Sequence, residues 1–487
     1  MPLAHTDAQA HAHVDEPIAR TAPSHYLALL PHFWNRQDLD ELSEDRYLIG
    51  RDLARLFLEI DGVGHRGSAD GTTDEGYFRF PWTREDALMR LWFARKASWR
   101  GMRIEVDNAG NQWAWWEPEG TSVSAQNPGI VCGSHLDSVA GGGPFDGPLG
   151  VISAFCAVDQ LRREGFEPTC PIGIVNCSNE EGSRFGAALF GTRVLTGVID
   201  GQDALSRVDA GQTLEEALRG FAGQIKDALV AMNASNKDVL AQGARAPEPG
   251  AYGTDEEALS LAKAFLELHI DLGIHTERTG RAVAMQSYIW PHGRWRIDIA
   301  GQANHAGCTP MDFRHDPLPV FARICLAVQQ TATDLGMLAT VGRVDIEPSG
   351  INVIASHATA FLDARAADES TLDAFLERVS ALIASENEES PCEVTFSNMT
   401  RTAATYFDAH LQERAREAAM QALGCDVEPF GLGAGHDAGV LETADIPSAM
   451  FIVCNASGQA HTPYEFARLS DCVDGVVALA AALKELA

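Results

Sequence analysis

Residues 129–177 read GIVCGSHLDSVAGGGPFDGPLGVISAFCAVDQLRREGFEPTCPIGIVNC. The run Gly129-Ile-Val-Cys-Gly133 is short, apolar and bounded by turn residues, as a buried strand is. Residues 150–163 have the length and apolar content of a helix, and 170–177, with Ile172, Ile174 and Val175, read as a second buried strand. Two continuous apolar runs joined through a helix predict a parallel pair in a sheet covered on both faces. The expected fold class is therefore α/β, with a mixed, mainly parallel sheet covered by helices. His135 ends the first strand, and strand C-termini are where open sheets of this kind place their ligands.

The chain has 487 residues, too many for one compact core, so at least two domains are expected. Residues 1–24 are polar, Ala/His-rich and aperiodic; His5, His11 and His13 could bind metal, but the composition predicts a disordered tail. Helices are expected over 36–60 and 83–98, and 213–242 is charged and helix-forming. Residues 243–253 read as a surface loop. Thr254 then looks like the N-cap of a helix reaching Ala264. From 287 to 399 the pattern changes: 295–300 and 358–363 alternate like half-exposed strands, and 317–333 and 371–385 look helical. This predicts a smaller α+β unit inserted into an α/β domain made of 25–286 and 400–487, with 448–453 as another buried strand.

The formal net charge is −31, with 37 Lys and Arg against 68 Asp and Glu. No Lys/Arg run appears, which argues against nucleic acid or an anionic membrane as partner and leaves a small molecule. None of the ten cysteines forms a C-x-x-C pair, and Cys132, Cys156 and Cys454 sit in apolar runs. Buried free thiols in a reducing cytoplasm fit this better than a disulfide framework. No leader peptide or membrane span is expected.

Five segments carry candidate chemistry. In GSHLDSV and GGGPFDG, His135 ends a strand, and Asp146 lies in a glycine-rich turn that can bend its carboxylate back. In NEEGSR, Glu180 and Glu181 follow the second strand. Adjacent carboxylates repel and tend to hold protons unless a cation is present; a metal bound by one, with a proton on the other, resolves this, and a solvated acidic turn is the plainer alternative. ELHID carries His269, GAGHDA carries His436 and SGQAHTPYE carries His461. Each histidine alone is more often structural than a ligand, but most of the set lies at strand ends.

Together these segments, with GQANHAGCTPMDFRHD and INVI, resemble the hydantoinase/carbamoylase branch of the M20-type metallohydrolases, from about Leu88 to the C-terminus. That branch includes N-carbamoyl-L-amino acid hydrolases, allantoate amidohydrolases and β-ureidopropionases. The resemblance implies a di-metal aminopeptidase-like catalytic domain, and makes the inserted unit a dimerisation domain. It implies one metal held by His135 and His269, a second by Glu181 and His461, and Asp146 bridging both. Glu180 is then the general base and later acid, and Asp137 the carboxylate that orients His135. His305 stabilises the oxyanion in a partner subunit's site, and Asn352 and Arg365 grip the substrate carboxylate there, with His436 and Leu272 also at the substrate. Zinc suits the all-His/carboxylate ligands; manganese, cobalt or nickel fit nearly as well. The implied activity is metal-dependent hydrolysis of a linear C–N amide, such as an N-carbamoyl amino acid, in a cytoplasmic homodimer.

Two departures from the family pattern stand out. The family usually reads HIEQG where this chain has HIDLG, so Leu272 replaces a Gln expected to contact the substrate, and Cys308 stands where Thr is usual. Loss of that Gln leaves open an N-acyl or other non-ureido amide. A non-catalytic metal-binding protein is the remaining alternative, disfavoured because Glu180 is present.

Overall fold

The computed structural model describes residues 30–67, 73–232 and 236–487. The 1–24 tail lies outside the described residues. The chain divides into two compact units: Met1–Gln286 with Phe407–Pro429 and His436–Ala487, and Ser287–Tyr406 with Phe430–Gly435.

In the first unit, four strands run parallel and side by side: Ile172–Cys177, Gly129–His135, Ala262–Ile270 and Ser448–Val453. Their register brings the C-terminal ends level, with His135 opposite Cys177, and His269 opposite Ile452. Antiparallel strands flank them, Gln112–Trp116 and then Arg103–Val106 beyond Ile172–Cys177, and Val283–Ile289 beyond Ser448–Val453. The sheet is thus mixed and mainly parallel, as expected. The strands read as continuous apolar runs because they are buried throughout.

The helices Pro148–Arg163, Leu469–Leu486 and Glu44–Asp61 pack on one another and share a core with Ile130, Cys132, Leu266 and Leu268. Arg84–Trp99 packs against Leu214–Ala231 and Lys237–Ala244. The expected helix over 254–264 is corrected: Asp255 caps a short helix, Glu256–Ser260, and Ala262–Ile270 is a strand. Ala, Leu, Lys and Glu favour a helix there, but pairing between two buried parallel neighbours overrides propensity. His269 accordingly stands on a strand near its end, not after a helix.

The second unit has an antiparallel sheet in the order Leu338–Glu347, His357–Arg365, His292–Ala300, Glu393–Thr402. On His292–Ala300, Trp295, Ile297 and Ile299 are buried while Arg294 and Arg296 face solvent, the alternation of a sheet covered on one side. Helices Pro317–Leu335 and Glu369–Glu389 supply that cover through Val320, Ile324, Phe375 and Val379. Asn304–His305 pairs with Val353–Ile354 in a separate small ribbon.

Candidate metal centre

The loops and strand ends of the first unit bring the five expected metal ligands together, with Glu180 beside them. Asp146 is the hub. His269 Nε2 lies 3.1 Å and His135 Nε2 3.5 Å from its Oδ1, while His461 Nε2 lies 3.3 Å from its Oδ2. Glu181 Oε2 is 3.3 Å from His461 Nε2, and Glu180 Oε2 is 3.6 Å from His135 Nε2. The ligand atoms form two groups that could each hold an ion and that share Asp146, His135–Asp146–His269 and Asp146–Glu181–His461, while Glu267, His269 and His436 form a third that shares His269.

Local backbone geometry sets up these approaches. Gly147 follows the hub with φ 83°, and a Cβ there would collide with the His135 ring. Asn179, φ 54°, turns the chain after Ile172–Cys177 so that Glu180 and Glu181 face the hub, and His461 itself has φ 58°. The left-handed region costs a non-glycine residue about 1–2 kcal/mol, so surrounding contacts must hold these two in place.

Carboxylates brace the centre from behind. Asp137 accepts the backbone N–H groups of Glu180 at 3.2 Å and Glu181 at 3.1 Å. Its main-chain carbonyl is the oxygen nearest His135 Nδ1, at 3.2 Å, with the carboxylate at 3.5 Å. His269 Nδ1 lies 2.9 Å from the Ile270 carbonyl, so in both histidines Nδ1–H is satisfied and Nε2 is left as a lone pair. Glu465 accepts from the backbone of Phe145 and Asp146. Glu267 accepts from Ser134 and the Ala438 backbone, and Asp437 from Thr192. Glu465, Glu267 and Asp437 were given no role by sequence reasoning. Their signal was position: each lies within four residues of a candidate histidine.

The electrostatics point to missing positive charge. Burial pushes Glu180 well above the usual carboxyl range and Glu181 up to about 7, with the neighbouring Asp146 adding to the latter. Burial, then Asp146, pushes Glu465 up to about 8. Burial would raise Asp146 as well, but the imidazoles of His135, His269 and His461 that face it win and hold it well below its ordinary value. Burying an unpaired ion costs several kcal/mol even after relaxation, about the scale at which a crowd of acids must either take up protons or gather cations. His135 Nε2 and Asp146 Oδ2 are buried with no hydrogen-bond partner. Inward-facing imidazole lone pairs and unpartnered carboxylate oxygens around one shared acid are the donors that divalent cations require.

The other expected residues are placed as follows. His436 is buried beside His269, ring centroids 4.6 Å apart, and neither ring nitrogen has a hydrogen-bond partner. Burial, then His269, lowers its pKa well below the ordinary value, so it is neutral. Leu272 is half-buried and packs against the main core. The preceding Asp271 is spent on the turn, accepting from Gly273, from the Thr276 backbone and from the Thr276 hydroxyl. In the second unit, His305 is exposed and its Nδ1 accepts the Gly307 N–H at 3.1 Å, which puts the ring proton on Nε2. The Asn352 carbonyl accepts the Ala306 N–H, placing it beside His305 on the ribbon. Arg365 donates to both oxygens of Asp363 and to the Gly433 carbonyl.

The family model for peptidase family M20/M25/M40 matches residues 131–485. The chain is 31% identical to the N-carbamoyl-L-amino acid amidohydrolase of Geobacillus stearothermophilus over 433 residues, 88% of this chain and 97% of that one. It is 30% identical to the allantoate amidohydrolase of Bacillus subtilis (strain 168), covering 86% and 94%. Among solved structures, it is similar to a hydantoinase/carbamoylase family amidase from Burkholderia ambifaria, with TM-score 0.70, 29% identity, and 89% and 96% of the two chains covered.

Proposed function

The chain belongs to peptidase family M20/M25/M40, and on that premise we propose that it hydrolyses the ureido amide of an N-carbamoyl amino acid or a related small ureido acid, with two divalent cations in its centre. It is a hydrolase of C–N bonds other than peptide bonds, resembling the hydantoinase/carbamoylase branch. The observation that carries the di-metal reading is the shared Asp146, whose two oxygens face different sets of ligands.

His135 and His269 would hold one cation, Glu181 and His461 the other, and Asp146 both; zinc fits these donors, with manganese, cobalt or nickel as alternatives. Such ions, when bound, supply Lewis acidity that polarises an amide carbonyl and makes water acidic near pH 7. Glu180 takes the proton of the attacking water and carries it to the leaving nitrogen. Water adds to the ureido carbon, the bond to the terminal nitrogen breaks, and ammonia departs with that proton. The remaining N-carboxy amino acid loses carbon dioxide to give the free amino acid. Asp137 fixes the Glu180–Glu181 turn through their N–H groups, which sets where the base stands.

The reading includes a homodimer in which each chain lends His305, Asn352 and Arg365 to a partner subunit's substrate. Its support is the resemblance, together with the outward Nε2–H of His305, a donor suited to an oxyanion. Arg365 would have to exchange Asp363 for a substrate carboxylate. No helix among the described residues is long and apolar enough to cross a membrane. The ten free cysteines support a reducing, cytoplasmic setting.

The test is ammonia release from a panel of N-carbamoyl amino acids and ureido acids by zinc- or manganese-loaded protein. Release from at least one member is expected. Leu272 motivates adding N-acyl amino acids to the panel; turnover of those alone would replace the ureido reading. Light scattering showing an active monomer would remove the dimer.

A further inference from the structure

A second group of metal-type side chains lies in the first unit and shares no residue with the two triads around Asp146. His65 Nε2 lies 3.0 Å from Asp74 Oδ1, and His32 Nε2 lies 3.7 Å from Asp74 Oδ2. The two imidazoles stack at 4.8 Å between centroids, and the three donor groups all lie within 4.8 Å of one another. Their side chains are 43%, 28% and 33% exposed for His32, His65 and Asp74, open enough for an ion from solution and for water to complete its shell.

Another acid fixes the chemistry of His32. Asp61 Oδ1 lies 2.9 Å from His32 Nδ1, and Asp61 Oδ2 accepts the His32 backbone N–H. Tyr77 donates to Asp61 Oδ1 at 2.6 Å and so pins the carboxylate. An Nδ1–H donating to Asp61 leaves Nε2 as a lone pair, and that nitrogen faces Asp74 and His65. A carboxylate behind an imidazole whose other nitrogen faces a donor cluster is the usual setting of a metal-bound histidine. Asp74 is itself anchored, its Oδ1 accepting the Gly76 N–H.

We infer that His32, His65 and Asp74 form a binding site for one further divalent transition cation, with His32 oriented by Asp61. Two imidazoles and one carboxylate with room for water select zinc over calcium or magnesium. Binding displaces the proton that His65 Nε2 shares with Asp74 and releases it to solvent. The ion ties three chain segments together. One of them, Asp74–Tyr77, is bonded directly to the glycine turn ahead of Asp146: Tyr77 donates to the Gly142 carbonyl at 3.0 Å and accepts from Gly141 at 2.9 Å. Without a cation, the same residues are two surface His–Asp pairs, which contribute little to stability.

The experiment counts Zn2+ in the full-length chain by mass spectrometry after chelator stripping, reloading with Zn2+ and desalting. Wild type, His65→Ala and Asp74→Asn are compared, each checked for a cooperative melt. Wild type is expected to hold one more Zn2+ per chain than either variant, whatever the total. That difference is independent of how many ions the Asp146 centre holds, so failure here and failure of the di-metal reading are distinguishable. Asp74→Asn preserves shape and keeps an acceptor for Gly76, and it carries the test if His65→Ala does not fold. Equal Zn2+ content in wild type and the folded variants overturns the site.

Discussion

Glu465 accepts the backbone N–H of Asp146 at 3.0 Å, so the acid shared by the two triads is held from behind by a second acid. The same oxygen accepts the Phe145 N–H, which ties the loop carrying His461 to the loop carrying Asp146. Glu465→Ala is expected to lower metal affinity or activity by about 10–100-fold, the usual cost of losing a group that orients ligands. Glu465→Gln keeps an acceptor and should lose less. Chelator-competition titrations and kcat/KM on both variants check this; parity of the two with wild type would show that the brace is dispensable.

Glu180 reaches the centre at His135, 3.6 Å away, and belongs to neither triad. Glu180→Gln is therefore expected to lower kcat by about 10²–10⁴-fold, the range for a lost general base, with bound metal unchanged. Retained turnover would assign the proton transfer elsewhere.

Gly147 has room only for hydrogen where the His135 ring approaches it, and its φ is 83°. Gly147→Ala combines a clash with a left-handed backbone cost of about 1–2 kcal/mol. The expected outcome is a lower denaturation midpoint together with loss of bound metal. A variant that melts like wild type and binds metal normally would mean that the turn relaxes freely.

In the second unit, Asp298 is held at about 2 chiefly by its hydrogen bond to Arg296, with Thr359 and His357 also donating. Its folded value lies below the ordinary 3.8, so the interaction stabilises above about pH 4 and fades as pH falls through 3.8 toward 2. Asp298→Asn is expected to be less stable than wild type at pH 7, with the gap closing between pH 4 and pH 2. Urea midpoints at pH 7, 4 and 3 measure it; a gap that widens on acidification contradicts the assignment.

The buried parallel strands were legible because burial on both faces writes uninterrupted apolar runs such as Ile130–Val131–Cys132 and Ile172–Ile174. The motifs at their ends marked His135, Asp146, Glu181 and His461 for the same reason. The Ala262–Ile270 strand was not legible: its residues suit a helix, and only pairing with Gly129–His135 and Ser448–Val453 makes them a strand. Glu465, Glu267 and Asp437 were also hidden. Their partners lie 320, 133 and 245 residues away in Phe145, Ser134 and Thr192, and no local pattern records such bonds. Asp137 was assigned to His135, whose Nδ1 lies 3.5 Å from its carboxylate; that the same carboxylate also accepts from the backbone of Glu180 and Glu181 was not legible.

Sharing of Asp146 by two cations is tested most directly by ion counting in paired variants. In a His65→Ala background, which removes the separate His32–His65–Asp74 group, the stripped and reloaded chain should hold two Zn2+. His461→Ala should leave one, and Asp146→Ala should leave none. A parent chain that holds a single ion, or an Asp146→Ala variant that keeps the parent's content, would contradict the account.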